Sequence, residues 1–265
     1  MRKPDDVVAR EWLAGVWLGR HGLGDAEPTP LIAARLEVRR RVQVAGYVLL
    51  AVFLVGVALT RRALGRPADF SSSWAPLLVP AALAAGLIAA QWALHLWVRR
   101  VDRRAGAGLS RRVAHPVRLG WSAVLGVPHA VFTIASFAAA MLLAASVLPV
   151  ADITLRYGAI VVLITLAGVG AGIIVQLRHV LTSPAVAEDE ASLTADVIMR
   201  VEDARALVMP TLVWSVPVVF LYGESNGWWS AASVALVVVG VIAFGLIHLR
   251  AAGAGAAARR ALATR

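Results

Sequence analysis

The chain has 265 residues, of which 59% are hydrophobic and 16% are charged, and its mean hydropathy is +0.74. Soluble domains are about 45–50% apolar, so this composition excludes a soluble globular protein and predicts a polytopic membrane protein. The net charge of +10 comes almost entirely from arginine. We assign this charge to contacts with an anionic lipid membrane and expect no nucleic acid as a partner. The absence of cysteine excludes disulfides and thiol catalysis.

Residues 1–41 are predicted to form two cytoplasmic helices ahead of the membrane domain. Between Asp6 and Gly19, valine, leucine and tryptophan recur at helical spacing, which indicates an amphipathic helix that lies in the membrane interface or packs on the chain's own loops. Thr29 and Pro30 are typical of an N-cap and a first helical position. We expect this second, elbow helix to bend into the first span, with the three arginines 39–41 at the lipid phosphates.

Six long apolar runs predict an all-α transmembrane domain within residues 42–249. Each run approaches the ~20 residues that cross a hydrocarbon core, where only a helix satisfies its own backbone. The predicted spans are 42–60, 75–98, 130–150, 157–177, 206–222 and 228–249. Short connections indicate that they form three hairpins, and residues 250–265 are predicted to be a cytoplasmic tail. Alternation with a period of two is missing from these runs, which argues against a barrel.

The distribution of basic residues predicts the orientation of the spans. With both termini in the cytoplasm, 22 of the 26 lysines and arginines fall on the inner side of the membrane, as the positive-inside rule requires. The dominance of arginine over lysine, together with abundant alanine, is typical of GC-rich bacterial genomes. The predicted location is therefore a bacterial plasma (inner) membrane.

The second inner loop, within residues 99–129, is the most basic segment of the chain. Its arginines are expected to face anionic lipid headgroups. These lipid-facing candidates are Arg99, Arg100, Arg103, Arg104, Arg111 and Arg112. The sequence GAGLSRR in this loop lacks the glycine spacing and the lysine of a nucleotide-binding loop, so we expect no nucleotide phosphate there.

An acidic segment precedes the fifth span, and its apolar residues recur at helical spacing. This pattern predicts a cytoplasmic amphipathic helix that continues without a break into the span, with Ser192 as a plausible cap. Asp196 falls on the predicted polar side, where it forms a supporting pair with Arg200 one turn later.

The apolar stripe of this acidic helix contains Leu193, Val197 and Val201. Anionic lipid repels an acidic helix, so the stripe is predicted to dock on protein, either the chain's own inner segments or a cytoplasmic protein partner. The alternative is a solvated connector.

The fifth span is the irregular one, because it contains two prolines that donate no backbone hydrogen bond. The candidates for a substrate path or a hinge are Pro210, Trp214, Ser215 and Pro217. The alternative is a kink that neighbouring helices accommodate by packing.

Four histidines lie at the predicted inner boundary of four different spans: His95, His129, His179 and His248. Imidazoles at a similar depth could ligate a metal or haem, and the alternative is that each ring reaches toward the polar interface.

No carboxylate, lysine or arginine lies deep in a predicted span, which argues against an ion-coupled transporter. HExxH spacing, paired carboxylates and a glycine-flanked serine are all missing from the sequence, so we expect no enzyme and no resident cofactor.

Six spans, inner termini, about 265 residues and an elbow before the first span resemble the membrane subunits of bacterial ATP-binding-cassette exporters. This resemblance implies that Val101–Leu119, in the first inner loop, contacts an ATPase. The chain departs from that family at GESNG, where short outer helices are expected, and in its acidic helix.

The sequence favours a non-enzymatic component of a transport or envelope-signalling system that docks a cytoplasmic partner. An exporter permease subunit and a haem- or metal-binding membrane protein are the alternatives.

Overall fold

The computed structural model describes residues 4–64, 75–107, 120–184, 189–221, 227–251 and 253–263. These ranges contain helices and short connections and no strand. The helices are α1 (Pro4–Arg20), α2 (Pro30–Leu64), α3 (Ala75–Ala107), α4 (Trp121–Leu125), α5 (Val127–Ala145), α6 (Ile153–Thr182), α7 (Glu190–Leu207), α8 (Thr211–Leu221), α9 (Trp228–Arg250) and α10 (Ala254–Ala263). Six helical segments are long and apolar enough to cross a membrane, so the prediction of an all-helical, multi-pass membrane protein is confirmed at this level.

Helix α2 contains both the predicted elbow and the first span. It runs without interruption for 35 residues, so the structure has no separate elbow helix. Its start is the predicted one, because the backbone N–H of Ile32 donates to Thr29 Oγ1 at 3.3 Å and Pro30 occupies the first helical position.

The third and fourth spans differ from the prediction at their ends. Helix α5 ends at Ala145, short of the predicted residue 150, and a turn with Pro149 follows it. Helix α6 is longer than predicted at both ends and spans 30 residues. Its first turn is capped by Asp152, whose Oδ1 accepts a hydrogen bond from the Leu155 N–H at 3.1 Å. Caps and turn residues, which hydropathy does not register, set these boundaries.

Helix α8 lies at the centre of the bundle. It contacts α2, α5, α6 and α9, while α2 packs on α3 and α5 packs on α6. Val213, Val216 and Phe220 of α8 are buried in one apolar core with Leu166 of α6 and Phe53 of α2. Because α8 is enclosed by these helices, its irregular ends are positioned by protein rather than by lipid.

A second layer of helices covers one end of the bundle. The described parts of both terminal regions pack there, and we call this end the terminal end. Helix α7 is its hub, because it contacts α4, α6 and α10. Ala195 and Met199 of α7 also pack with Ala14 and Leu18 of α1 and with Ile32 of α2. The first helix is therefore present as predicted and packs on the chain, while its opposite side leaves Val8 67% and Trp12 66% exposed.

Helix α7 is buried on almost every side rather than amphipathic. All residues from Ala195 to Val201 are buried, and Asp196 is completely inaccessible. The sequence placed Asp196 off the apolar stripe, and the structure buries it at that position among charged partners. The Asp196–Arg200 pair does form, at 2.8 Å, but inside the protein. A charged residue off an apolar stripe can face either water or a buried partner, and the spacing alone does not distinguish them.

The cap of α7 is Asp189 rather than Ser192. The Ser192 N–H donates to Asp189 Oδ1 at 2.7 Å, and the Asp189 N–H donates to Ser192 Oγ at 3.0 Å, which is a reciprocal capping box. Hydrogen bonding with Ser192 lowers the pKa of the Asp189 carboxyl below its usual value. The cap therefore carries its negative charge at neutral pH, where it also suits the dipole of the helix.

Candidate functional site at the terminal end

Six charged side chains from three helices meet at the terminal end, and we call them the six-charge cluster. Its members are Arg35 and Arg39 of α2, Asp102 of α3, and Asp196, Arg200 and Asp203 of α7. Three positive and three negative charges balance, so the cluster is neutral as a whole. Buried charges persist only when they are paired and hydrogen-bonded.

Asp196 is the innermost member of the cluster. Arg35 Nη2 donates to its Oδ1 at 2.5 Å, and Arg200 Nε donates to its Oδ2 at 2.8 Å. Arg200 also donates through Nη1 and Nη2 to the carbonyl oxygens of Ser183 and Pro184, both at 2.6 Å. These carbonyls follow the end of α6, so one aspartate and one arginine join α2, α6 and α7.

The outer part of the cluster joins α3 to the same assembly. Arg39 Nη2 donates to Asp102 Oδ2 at 2.9 Å, and Arg39 Nε donates to Asp203 Oδ2 at 3.0 Å. Arg35 Nε donates to Asp102 Oδ1 at 2.9 Å. Arg39 was predicted to contact lipid phosphates, but in the structure its guanidinium lies between two carboxylates. The neighbouring Arg40 and Arg41 are exposed.

A smaller set of contacts holds α1 and α10 against α7. Trp17 Nε1 donates to Glu202 Oε2 at 3.2 Å, and His21 Nε2 lies 3.1 Å from Glu202 Oε1. Arg259 Nη1 donates to the His21 carbonyl oxygen at 2.9 Å. The two terminal helices are thereby joined to each other and to the acidic helix.

The fifth membrane segment is broken between α7 and α8. Helix α7 ends at Leu207 and α8 begins at Thr211, so the prediction of a continuous helix is wrong. Pro210 lies in the break and has no N–H to continue the α7 ladder. The carbonyl oxygen of Val208 accepts a hydrogen bond from Thr133 Oγ1 of α5 at 3.0 Å. A neighbouring helix thus satisfies a backbone group that the break leaves free.

The other predicted hinge residues lie within α8. Pro217 is inside the helix, and Ser215 Oγ donates locally to the Leu212 carbonyl at 3.0 Å. Trp214 is 5% exposed, and its indole Nε1 has no hydrogen-bond partner within the described ranges. Its ring lies against Gly240 of α9, so a glycine provides the space for a tryptophan at the core of the bundle.

A half-open cavity of about 1910 Å³ lies beside this break. Met209, Thr211 and Leu212, at the break and the start of α8, contribute to its wall. Its polar lining is mainly basic and includes Arg35, Arg39, Arg99, Arg103, His95, His129, His179, His248, Gln176 and Asp102. The cavity therefore joins the six-charge cluster, the broken helix and all four predicted histidines in one space.

The four histidines line this cavity but do not converge. Among the described residues, no group of three or more histidine, cysteine, aspartate or glutamate side chains is arranged to hold a metal ion. His179 lies within the electrostatic range of Arg99 and Arg103, whereas His129 lies near His248. The rings therefore have different charged neighbours, and a similar predicted depth in the membrane did not establish a shared ligand set.

The predicted docking stripe of α7 is covered by the chain itself. Val197 and Val201 are completely buried, and Leu193 is partly buried against the same cluster. Their neighbours include Val124 of α4 and Ala258 of α10. Val197 and Val201 therefore dock within the protein, and Leu193 packs against the same cluster while keeping part of its surface exposed.

The predicted lipid-facing arginines separate into two pairs on α3. Arg99 and Arg103 line the cavity, whereas Arg100 and Arg104 are exposed and lie outside its wall. Arg111 and Arg112 lie outside the described residues.

The six-charge cluster was not foreseen from the sequence, although one signal was available. Asp102 is a single carboxylate among four arginines in the sequence RRVDRR, which indicates a specific partner rather than a lipid-facing loop. The sequence matches no protein-family model, and neither a curated protein nor a solved structure matches it.

Proposed function

We propose that this protein is a non-enzymatic, permease-like component of a transport system in a bacterial plasma membrane. The observation that carries this proposal is the cavity of about 1910 Å³ beside the broken fifth segment. Binding pockets for small molecules are typically ~300–1,000 Å³, so the space is large enough for a cargo. Irregular backbone at membrane depth is tolerated where it lines such a cavity, and broken helices of this kind form the binding sites of many transporters.

The length of α8 supports a break within the membrane. At about 1.5 Å per residue, its 11 residues span about 16 Å, roughly half of the ~30 Å hydrocarbon core. The last turns of α7 must therefore complete the crossing. The connection at Val208–Pro210 then lies where a cargo in the cavity would contact it.

The packing indicates which parts are fixed and which can move. Helix α7 is tied by the six-charge cluster to α2 and α3 and by Arg200 to the end of α6. Helix α8 follows the break, and its buried contacts with α2, α5, α6 and α9 are made by apolar side chains, which can slide past one another. We propose that α8 and α9 tilt about Val208–Pro210 while α7 stays in place, which would change access to the cavity.

The distribution of basic residues supports an orientation with both termini in the cytoplasm, because 22 of the 26 lysines and arginines then lie inside. The cavity would open toward the cytoplasm in this orientation. We propose that a cytoplasmic protein supplies the energy for transport and that such an ATPase contacts the basic segment Val101–Leu119, of which residues 108–119 lie outside the described residues. The buried stripe of α7 is not part of that surface.

Cysteine labelling tests the water access and the orientation together, because the natural chain has no cysteine. Thr211→Cys is placed on the cavity wall, and Val216→Cys is placed on the same helix in the core. A charged, membrane-impermeant maleimide should label Thr211→Cys in inside-out vesicles and leave it unlabelled in right-side-out vesicles. Val216→Cys should stay unlabelled in both. A Thr211→Cys variant that resists labelling from the inner side would contradict the access cavity.

A further inference from the structure

Two arginines of α3 face the cavity and have no carboxylate partner among the described residues. Arg99 is half-buried, Arg103 is exposed, and both line the cavity wall. In the described part of the chain, neither forms an ion pair, whereas the cluster arginines Arg35, Arg39 and Arg200 do. An arginine beside a cavity and without an acid next to it is a donor group that a bound anion can use.

Asp102, which lies between these two arginines in the sequence, does not pair with either of them. Both oxygens of Asp102 already accept hydrogen bonds from Arg35 and Arg39. The positive charges of Arg99 and Arg103 also act on each other and on the neighbouring His179. Like charges held this close repel, so an anion placed between them lowers the electrostatic free energy.

Two residues of the cavity wall carry buried polar atoms that a ligand could bond. Arg35 is 3% exposed and Gln176 is 7% exposed, and both line the cavity. Arg35 Nη1 and Gln176 Oε1 have no hydrogen-bond partner among the residues that the structure describes. A buried guanidinium N–H without an acceptor is costly, and an anion in the cavity would supply that acceptor. The Gln176 oxygen would accept a hydroxyl of the same ligand.

The deeper wall of the same cavity is apolar. Leu50 of α2, Ile88 of α3 and Val169 of α6 line it. Ile88 precedes Arg99 by about 16 Å along α3, at ~1.5 Å per residue. The cavity therefore offers a basic region at the terminal end and an apolar region toward the centre of the membrane. This arrangement complements a molecule with an anionic head and a hydrocarbon body.

We propose that the cavity binds an anionic amphiphile, with a phosphate-bearing headgroup on Arg99, Arg103 and Arg35 Nη1 and a hydrocarbon chain between α2, α3 and α6. This inference rests on the proposed function, because it names the class of molecule that the proposed transport cavity binds. The binding measured below does not require α8 and α9 to move. A loss of binding and a loss of transport are therefore separate results.

The test is native mass spectrometry of the full-length protein, titrated with phosphatidylglycerol and separately with phosphatidylcholine. The variant Arg99→Gln/Arg103→Gln is compared with Arg100→Gln/Arg104→Gln, which removes the same charge from the same helix outside the cavity wall. We expect the first double variant to weaken phosphatidylglycerol binding by about tenfold to a hundredfold. The second should change it by less than about twofold, because Arg100 and Arg104 lie outside the cavity wall and would not contact the headgroup.

Three outcomes would overturn the proposal. An equal loss in both double variants would mean attraction to a charged surface, and no loss in either would mean that the cavity arginines do not bind the headgroup. Inorganic phosphate that displaces the lipid at comparable concentration would mean a site for a free anion. If Arg99→Gln/Arg103→Gln does not fold, Gln176→Leu keeps every charge and should weaken phosphatidylglycerol binding about two- to tenfold. Unchanged binding in Gln176→Leu would then contradict the site.

Discussion

Replacing Asp196 with asparagine is expected to lower the free energy of unfolding by about 3–5 kcal/mol, the largest effect of any single substitution proposed here. Asp196 is completely buried and accepts hydrogen bonds from Arg35 and Arg200. The asparagine has nearly the same shape but no charge. The buried Arg200 guanidinium would lose the carboxylate that it binds, and Arg35 would keep only its ion pair with Asp102. Thermal unfolding of the purified protein in detergent measures the change.

Glu190→Gln is the matched control, because Glu190 is an exposed acid on the same helix. It also removes one negative charge, and we expect a change of no more than about 0.5 kcal/mol. Equal stability of Asp196→Asn and Glu190→Gln would show that the six-charge cluster does not hold α7 in place.

Replacing Gly240 with alanine is expected to destabilise the protein by about 1–3 kcal/mol through overpacking. A Cβ at this position would lie 2.6 Å from Trp214 Cε2 and 2.8 Å from its Nε1. The indole is buried and lies edge-on to Phe132 and Phe244, so it has little space to withdraw. Thermal unfolding of Gly240→Ala in detergent checks this expectation.

Gly245 lies on the same helix and provides the opposite control. A Cβ there would meet nothing within 4 Å, so Gly245→Ala should stabilise the helix by about 0.5–1 kcal/mol. Adding Trp214→Phe to Gly240→Ala should recover part of the lost stability, since the smaller ring leaves room for the methyl group. Gly240→Ala and Gly245→Ala changes of the same sign would contradict the close contact between α8 and α9.

The membrane segments could be predicted because hydropathy over ~20 residues depends on the chain and the bilayer alone. Local chemistry also determined the start of α2, where Thr29 and Pro30 set the first turn without help from distant residues. The end of α5 and the cap at Asp189 were missed. They depend on short-range details of one or two residues, which averaging over a long window removes.

The environment of α7 could not be predicted from its own residues. Asp196 has the same helical position whether it faces water or the two arginines that bind it. Arg35 lies 161 residues before Asp196 in the chain, and only the packing of α2 against α7 brings their charges together. The same applies to the stripe of Val197 and Val201, whose neighbours are supplied by α4 and α10.

The candidate site combines predicted and unpredicted features. Pro210 marked the irregular segment correctly, because a missing N–H is a property of the residue itself. The cavity beside it was not predictable, since its wall comes from helices that are far apart in the sequence. The predicted depths of the histidines in their four spans likewise gave no information on whether His95 and His248 approach each other.

The most direct test of the account is a pair of distance measurements by pulsed electron paramagnetic resonance in lipid bilayers, since the natural chain has no cysteine to remove. Labels at Arg104 and Glu190, both exposed, report on the distance between α3 and α7, which Arg39 of α2 joins through Asp102 and Asp203. Labels at Val79 and Trp228, also exposed, report on movement of α9 relative to α3. We expect one narrow distance for the first pair, because the six-charge cluster holds it, and two populations for the second, because α9 moves. A single narrow distance for both pairs would contradict movement about Val208–Pro210.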